Sequence, residues 1–129
     1  MILAIIGSRT FKDYKKLCEI LDPNINKIKK VVSGGANGAD KLAEKWAKFN
    51  GIEVEIFLPN WQRNGKQAGF IRNEQIIEAS THVMAFWDGD SKGTKHSIGL
   101  AKKSEKKLKI IKFEPTIDKV IEKFGEYGE

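Results

Sequence analysis

Five short apolar runs, separated by segments with helical spacing, predict an α/β fold: a three-layer sandwich on a mainly parallel five-stranded sheet. Two observations carry this reading. The opening run, residues 2–6, is continuously apolar and rich in β-branched side chains, the pattern of a parallel strand covered on both faces. Glycine-bearing loops also recur at one structural position, after a strand and before a helix.

The first strand ends at Gly7-Ser8-Arg9. Asp13 opens a helix with Leu17, Ile20 and Leu21 at helical spacing, and Pro23 stops it. The second strand, residues 30–33, runs into Gly34-Gly35-Ala36-Asn37-Gly38-Ala39-Asp40. The next helix sets Leu42, Ala43, Trp46 and Phe49 on one face, Trp46 in the core, and ends at Asn50-Gly51. A third strand, residues 53–58, leads into a polar loop from Pro59 through Gly65, a candidate lid or binding loop. A helix over residues 66–79 and a fourth strand over 82–87, with Phe86 buried, precede the loop Asp88-Gly89-Asp90-Ser91-Lys92-Gly93-Thr94. A helix to residue 103, a fifth strand over 108–113 and a last helix over 117–124 complete a single domain, residues 1–129. Right-handed crossovers bring all strand C-termini to one edge, which makes the predicted sheet Rossmann-like.

The 129 residues suffice for one buried core, and 40% hydrophobic with 31% charged residues is ordinary for a soluble globular chain. The longest apolar run is far below the roughly 18 residues of a membrane span, and it lacks the basic leader and cleavage site of a signal peptide. Cys18 is alone, which excludes an intrachain disulfide and suits a reducing cytoplasm. The formal charge of +6 favours anionic partners, although the lysines at 27, 29, 30, 102, 103, 106, 107 and 109 read first as solvated faces.

Three loops converge on the predicted binding edge. Gly7, Ser8 and Arg9 offer backbone N–H groups, a hydroxyl and a guanidinium. Ser33, Gly34, Gly35 and Gly38 lead into a helix N-terminus, where free N–H groups favour phosphate and glycine lets the backbone approach it. Asp88, Ser91, Gly93 and Thr94 repeat the arrangement. Arg72 and Asn73, with Lys66 and Arg63, place cations over the same edge or else form an exposed helix face. Trp61 and Trp87 border loops, where they either stack on a base or pack locally. Asp40 either accepts a hydrogen bond from the ligand or caps its own helix. Neither Gly-x-Gly-x-x-Gly after the first strand nor Gly-x-x-x-x-Gly-Lys-Ser/Thr is present, which argues against NAD oxidoreductases and P-loop NTPases. His82 and His96 have no partner at metal-ligand spacing, so neither a metal nor a cofactor is expected.

The chain resembles the SLOG superfamily, and within it the YspA-like, cpYpsA-related proteins. The resemblance rests on Gly7-Ser8-Arg9-Thr10-Phe11, Val32-Ser33-Gly34-Gly35-Ala36, Gly38-Ala39-Asp40, Trp61, Gly65-Lys66, Ala68-Gly69, Arg72-Asn73, Ala85-Phe86-Trp87-Asp88-Gly89 and Ser91-Lys92-Gly93-Thr94. It implies nucleotide-derived ligands at the strand C-termini. A more distant similarity links it to the LOG phosphoribohydrolases, whose motif is Pro-Gly-Gly-x-Gly-Thr-x-x-Glu. Arg72 matches their helical arginine and Gly93-Thr94 their Gly-Thr pair, whereas Gly89-Asp90-Ser91 replaces Pro-Gly-Gly and Ser97 replaces the glutamate. That removes the acid which would stabilise an oxocarbenium-like centre. Gly7-Ser8-Arg9, Val32-Ser33-Gly34, Gly38-Ala39-Asp40 and Arg72-Asn73 are also similar to the Rossmann domain of the single-stranded DNA-binding DprA family.

The expected function is binding of a nucleotide or an ADP-ribose-like second messenger at the strand C-termini, in a sensor or sequestering module. One alternative is a nucleoside monophosphate phosphoribohydrolase-like enzyme using Arg72, with Glu74 or Asp88 in place of the missing glutamate. The other is single-stranded DNA binding. Expected partners are a nucleotide-like small molecule, single-stranded nucleic acid and a further copy of the chain in a homo-oligomer, with no membrane.

Overall fold

The computed structural model describes residues 1–115, so the helix expected over 117–124 lies outside the described residues. Five strands, β1 (Ile2–Gly7), β2 (Lys30–Ser33), β3 (Glu53–Ile56), β4 (His82–Trp87) and β5 (Lys107–Lys112), form one sheet in the order β3-β2-β1-β4-β5. Every pairing is parallel, with Ala4 opposite Val32 on one side and Val83 on the other. The α/β, Rossmann-like architecture read from the sequence is therefore the observed one, with the sheet wholly rather than mainly parallel.

The unbroken apolar run of β1 has a simple cause. Leu3 and Ile5 pack with Val31, Met84 and Phe86 into one core layer, whereas Ala4 and Ile6 pack with Val32, Val83 and Ala85 into the other. Helices α1 (Tyr14–Leu21) and α2 (Ala39–Phe49) supply the first layer; α4 (Ala68–Ala79) and α5 (Lys92–Lys103) supply the second. Successive side chains of a strand face opposite ways, so both must be apolar when both faces are covered.

Asp13 caps α1, its carboxylate accepting the Lys16 N–H at 3.0 Å. Pro23 ends the regular helix, but the chain continues as a 3₁₀ turn over Asp22–Lys27, with the proline in its first turn where no N–H is needed. Trp46, fully buried, anchors α2 to that turn by donating its indole N–H to Asp22 at 2.9 Å. Phe49 corrects the predicted apolar face: it is 85% exposed. At 3.6 residues per turn it falls about 120° round the helix from Ala43. The buried arc is instead Ala39, Asp40, Ala43, Glu44, Trp46 and Ala47. Gly51, at φ +68°, closes the helix as its position predicted.

The expected loop through Gly65 is largely helical. Asn60 accepts the Arg63 N–H at 3.1 Å and starts the single turn α3 (Trp61–Asn64), and a 3₁₀ turn over Gly65–Gln67 feeds α4. Strand β3 stops at Ile56, two residues early; Leu58 beyond it is 68% exposed. Lys29, Lys30, Lys102, Lys103 and Lys107 lie where strands begin and α5 ends, on the sheet edge opposite the strand C-termini. Lys30 pairs there with Glu53 and Glu55. No helix among the described residues is long and apolar enough to cross a membrane.

Candidate functional site

Strands β2, β1 and β4 are neighbours, so the loops after them meet over a cleft of about 390 Å³, within the range of small-molecule sites. Strand β1 and its loop contribute Ile6, Gly7, Arg9 and Thr10 to its walls, and the loop after β2 contributes Ala36. Asp40 comes from the first turn of α2, Arg72, Asn73 and Ile76 from α4, and Asp88 from the end of β4. Ser91, Gly93, Thr94 and Ser97 line it from the start of α5. The cleft thus gathers Gly7, Arg9, Asp40, Arg72, Asn73, Asp88, Ser91, Gly93 and Thr94 of the expected binding residues.

The other expected residues do different work. Ser8 is buried; its hydroxyl accepts the Asp88 N–H at 3.1 Å and its carbonyl accepts the Phe11 N–H, so it ties the β1 and β4 loops together. Ser33 is equally buried and donates to Glu44 Oε2 at 3.0 Å. Both hydroxyls are buried and hydrogen-bonded inside the protein, and neither residue lines the cleft.

The glycines of the second loop lie close against other parts of the protein. A Cβ on Gly38, at φ +83°, would lie 2.5 Å from the Ser8 carbonyl oxygen, and one on Gly35, at φ +72°, would lie 2.8 Å from the Leu58 side chain. A Cβ on Gly34 would lie 2.8 Å from Arg72 Nη1 and 3.0 Å from Asp40 Oδ2. Trp61, 60% exposed, and Lys66 lie outside the cleft lining, and the indole of Trp61 reaches toward Gly69 on α4. Trp87 packs locally, donating its indole N–H to the Ser91 carbonyl at 3.1 Å beneath the Lys112 ammonium.

Arg72 is half-buried and already engaged. Its Nη1 donates to the Gly34 carbonyl at 2.6 Å and its Nε to Asn73 Oδ1 at 3.0 Å, linking α4 to the second loop. Burial lowers its pKa, as does the nearby Arg9, and the carboxylate of Asp40 opposes them. The Asn73 amide meets His96 Nδ1 at 3.3 Å, joining α4 to α5.

Asp40 does not cap α2, and among the described residues it reaches no ion-pair partner within 4.0 Å. It sits in the first turn, 6% exposed, with Oδ2 accepting the Ala36 N–H at 3.2 Å. Burial pushes its pKa up to about 6, with Glu44 adding to the rise and the Ala36 N–H and Arg72 opposing it.

Asp88 is the opposite case. Burial works to raise its pKa, but the N–H groups of Ser91 and Asp90 and the hydroxyls of Thr10 and Ser8 outweigh it and hold the group ionised. Oδ1 takes those two N–H groups at 2.9 and 2.8 Å, and Oδ2 takes the Thr10 hydroxyl at 2.9 Å. A carboxylate so held is a poor proton donor. Glu74, the other acid considered for catalysis, is exposed and lines a separate depression with Leu100 and Lys106.

Thr10, Ala36, Ile6 and Ile76 also line the cleft, beyond the residues expected from the sequence, and Ser97, at the position of the lost glutamate, lines it at 3% exposure. Helical spacing held a signal for Ile76, four residues after Arg72. Among the described residues no group of three or more His, Cys, Asp or Glu side chains gathers to hold a metal.

Comparison with known proteins bears on the family and the fold. Residues 1–64 match the model of the YspA, cpYpsA-related SLOG family. The Gene 61 protein of Mycobacterium phage D29 is 36% identical over 109 residues, covering 78% of this chain and 87% of the phage protein. Two solved structures share the fold. DNA processing protein A (DprA) from Streptococcus pneumoniae superposes with a TM-score of 0.71 at 18% identity, over 84% of this chain and 49% of its own, so the present chain spans about half of it. The Helicobacter pylori DprA, described for its single-stranded DNA binding mode, gives 0.70 at 20% identity over 98% of this chain and 73% of its own. On the match over its first half and the identity with the phage protein, the chain belongs to the YspA, cpYpsA-related SLOG family.

Proposed function

We propose that the chain binds a nucleotide-derived ligand, a nucleotide or an ADP-ribose-like second messenger, in the cleft at the strand C-termini, and acts as a cytoplasmic sensor or sequestering module. The observation that carries the reading is the convergence of Arg9, Arg72 and the first turn of α5 on one cleft of about 390 Å³. Guanidiniums and helix N-terminal N–H groups are the donors that phosphate takes. The acids favour binding over cleavage: Ser97 stands in the cleft without a charge, Asp88 is held ionised, and Glu74 is elsewhere. Calorimetry with AMP and ADP-ribose tests this. Arg9→Ala is the informative variant, because Arg9 is exposed whereas Arg72 also holds the Gly34 carbonyl. Losing one charge-assisted bond of about 1.5–3 kcal/mol weakens binding by at least tenfold. Absence of binding by the folded wild-type protein refutes the reading, and so does an Arg9→Ala variant of unchanged affinity.

A second reading, single-stranded DNA binding, is favoured by the exposed indole of Trp61 beside Gly69, one turn before Asn73 of the cleft wall. An exposed indole there offers a stacking platform to a base beyond the cleft. A Trp61→Ala variant that loses oligonucleotide affinity and keeps mononucleotide affinity supports it.

A further inference from the structure

We propose that filling the cleft with a phosphate group is proton-linked: Asp40 takes up one proton as the anion enters and then donates it back to a phosphate oxygen as an O–H···O hydrogen bond. This rests on the nucleotide reading above and adds to it which residue sets the dependence on pH.

The Asp40 carboxyl lines the cleft at 6% exposure, so little water reaches it. The second loop offers it the Ala36 N–H. Its own helix offers Glu44, buried one turn on and committed to the Ser33 hydroxyl and Lys41. From α4 comes Arg72, whose Nη1 is spent on the Gly34 carbonyl; from the β1 loop comes the exposed Arg9; from the end of β4 comes the ionised Asp88. Helix α5 presents only Ser91, Gly93, Thr94 and Ser97 to the cleft, its His96 being turned to Asn73 and Phe70. Among the described residues, no ion pair within 4.0 Å neutralises Asp40.

An ionised Asp40 and a phosphate are both acceptors only, so side by side in a poorly hydrated cleft they repel and leave no donor between them. The anion also draws on the Arg72 guanidinium that now offsets Asp40. A proton on Asp40 removes the repulsion and supplies the missing donor with no movement of the backbone. The raised pKa of Asp40 means that this proton is close at hand near neutrality.

ADP-ribose is the suitable probe, because its diphosphate diester does not titrate near neutrality and any proton taken up belongs to the protein. Calorimetry at about pH 7.5 in two buffers of different ionisation heat measures that uptake, which should approach one, and affinity should fall toward tenfold per pH unit above neutrality. Asp40→Asn, which carries a permanent donor, should abolish the slope and bind more tightly than wild type at about pH 8. Binding without proton uptake overturns the linkage and leaves the nucleotide reading intact. An Asp40→Asn protein that binds more weakly at every pH also overturns it, since Asp40 would then serve as an acceptor for a ligand hydroxyl. If ADP-ribose binds at no pH, the nucleotide reading falls and the linkage with it.

Discussion

Alanine at Gly38 and alanine at Gly93 should have opposite effects, although both glycines were expected from the sequence to make room for a ligand. Gly38 lies at φ +83° and ψ −130°, a region nearly closed to side chains, and strain of that kind costs about 1–3 kcal/mol. The added Cβ would also fall 2.5 Å from the Ser8 oxygen, 2.6 Å from Arg9 Cα and 2.7 Å from the Arg9 oxygen, all backbone atoms. Relieving such overpacking costs roughly another 1–3 kcal/mol, because the β1 loop must move as a unit. The sum of about 2–6 kcal/mol is a large part of the 5–15 kcal/mol typical of a domain. It lowers the melting temperature by roughly 10 °C or more. At Gly93 a Cβ meets nothing within 4 Å, and the residue lies in the first turn of α5. Alanine there should stabilise by up to about 1 kcal/mol. Its methyl group, on a residue lining the cleft, should weaken the ligand. Thermal melts followed by circular dichroism, with calorimetry beside them, separate the two. A Gly38→Ala protein that melts with the wild type would refute the claim that this glycine exists to let the loops meet.

Asp40→Asn should stabilise the free protein at neutral pH. With its pKa at about 6 in the fold against 3.8 for the free group, the native state holds more protons than the unfolded chain between those values. Stability from this group is therefore highest below about pH 4, is lost as pH rises to about 6, and stays lower above by roughly 3 kcal/mol. Urea melts should show a gain of about 1–3 kcal/mol for the variant at pH 7.5 and almost none at pH 4. Trp46→Ala should cost about 3–5 kcal/mol, whereas Phe49→Ala, on the same helix but exposed, should stay within about 0.5 kcal/mol; equal losses would restore the apolar face read from the sequence.

What the sequence made legible was local. The unbroken apolar runs of β1 and β4 announced strands covered on both faces, and Asp13 and Gly51 marked helix ends, because each signal lies within a few residues of its effect. The strand-end position of three loops sufficed to place Arg9, Asp88 and Thr94 on one cleft. The roles of Ser8, Ser33 and Gly38 are hidden because each depends on what another element brings. The Ser8 hydroxyl meets a backbone N–H eighty positions away in sequence, and the Arg72 guanidinium a carbonyl thirty-eight away. Phe49 was misread because four apolar residues at roughly helical spacing drift round the axis, and only packing decides which part of the arc is covered. The turn α3 was missed because a single turn carries too few residues to show a period.

The lysines on the far edge of the sheet bear on the electrostatics of the cleft. A six-residue strand spans about 20 Å, more than twice the screening length of about 8 Å in physiological salt. The basic edge and the cleft are thus electrically separate neighbourhoods, and the overall +6 describes neither of them. Among the described residues, the charged groups lining the cleft are Arg9 and Arg72 against Asp40 and Asp88, which cancel. Bulk attraction can bring polyanions to the surface of this molecule, but a ligand bound as proposed would meet a neutral site whose polarity is set by the positions of its charges. One proton on Asp40 is enough to make that site a cation.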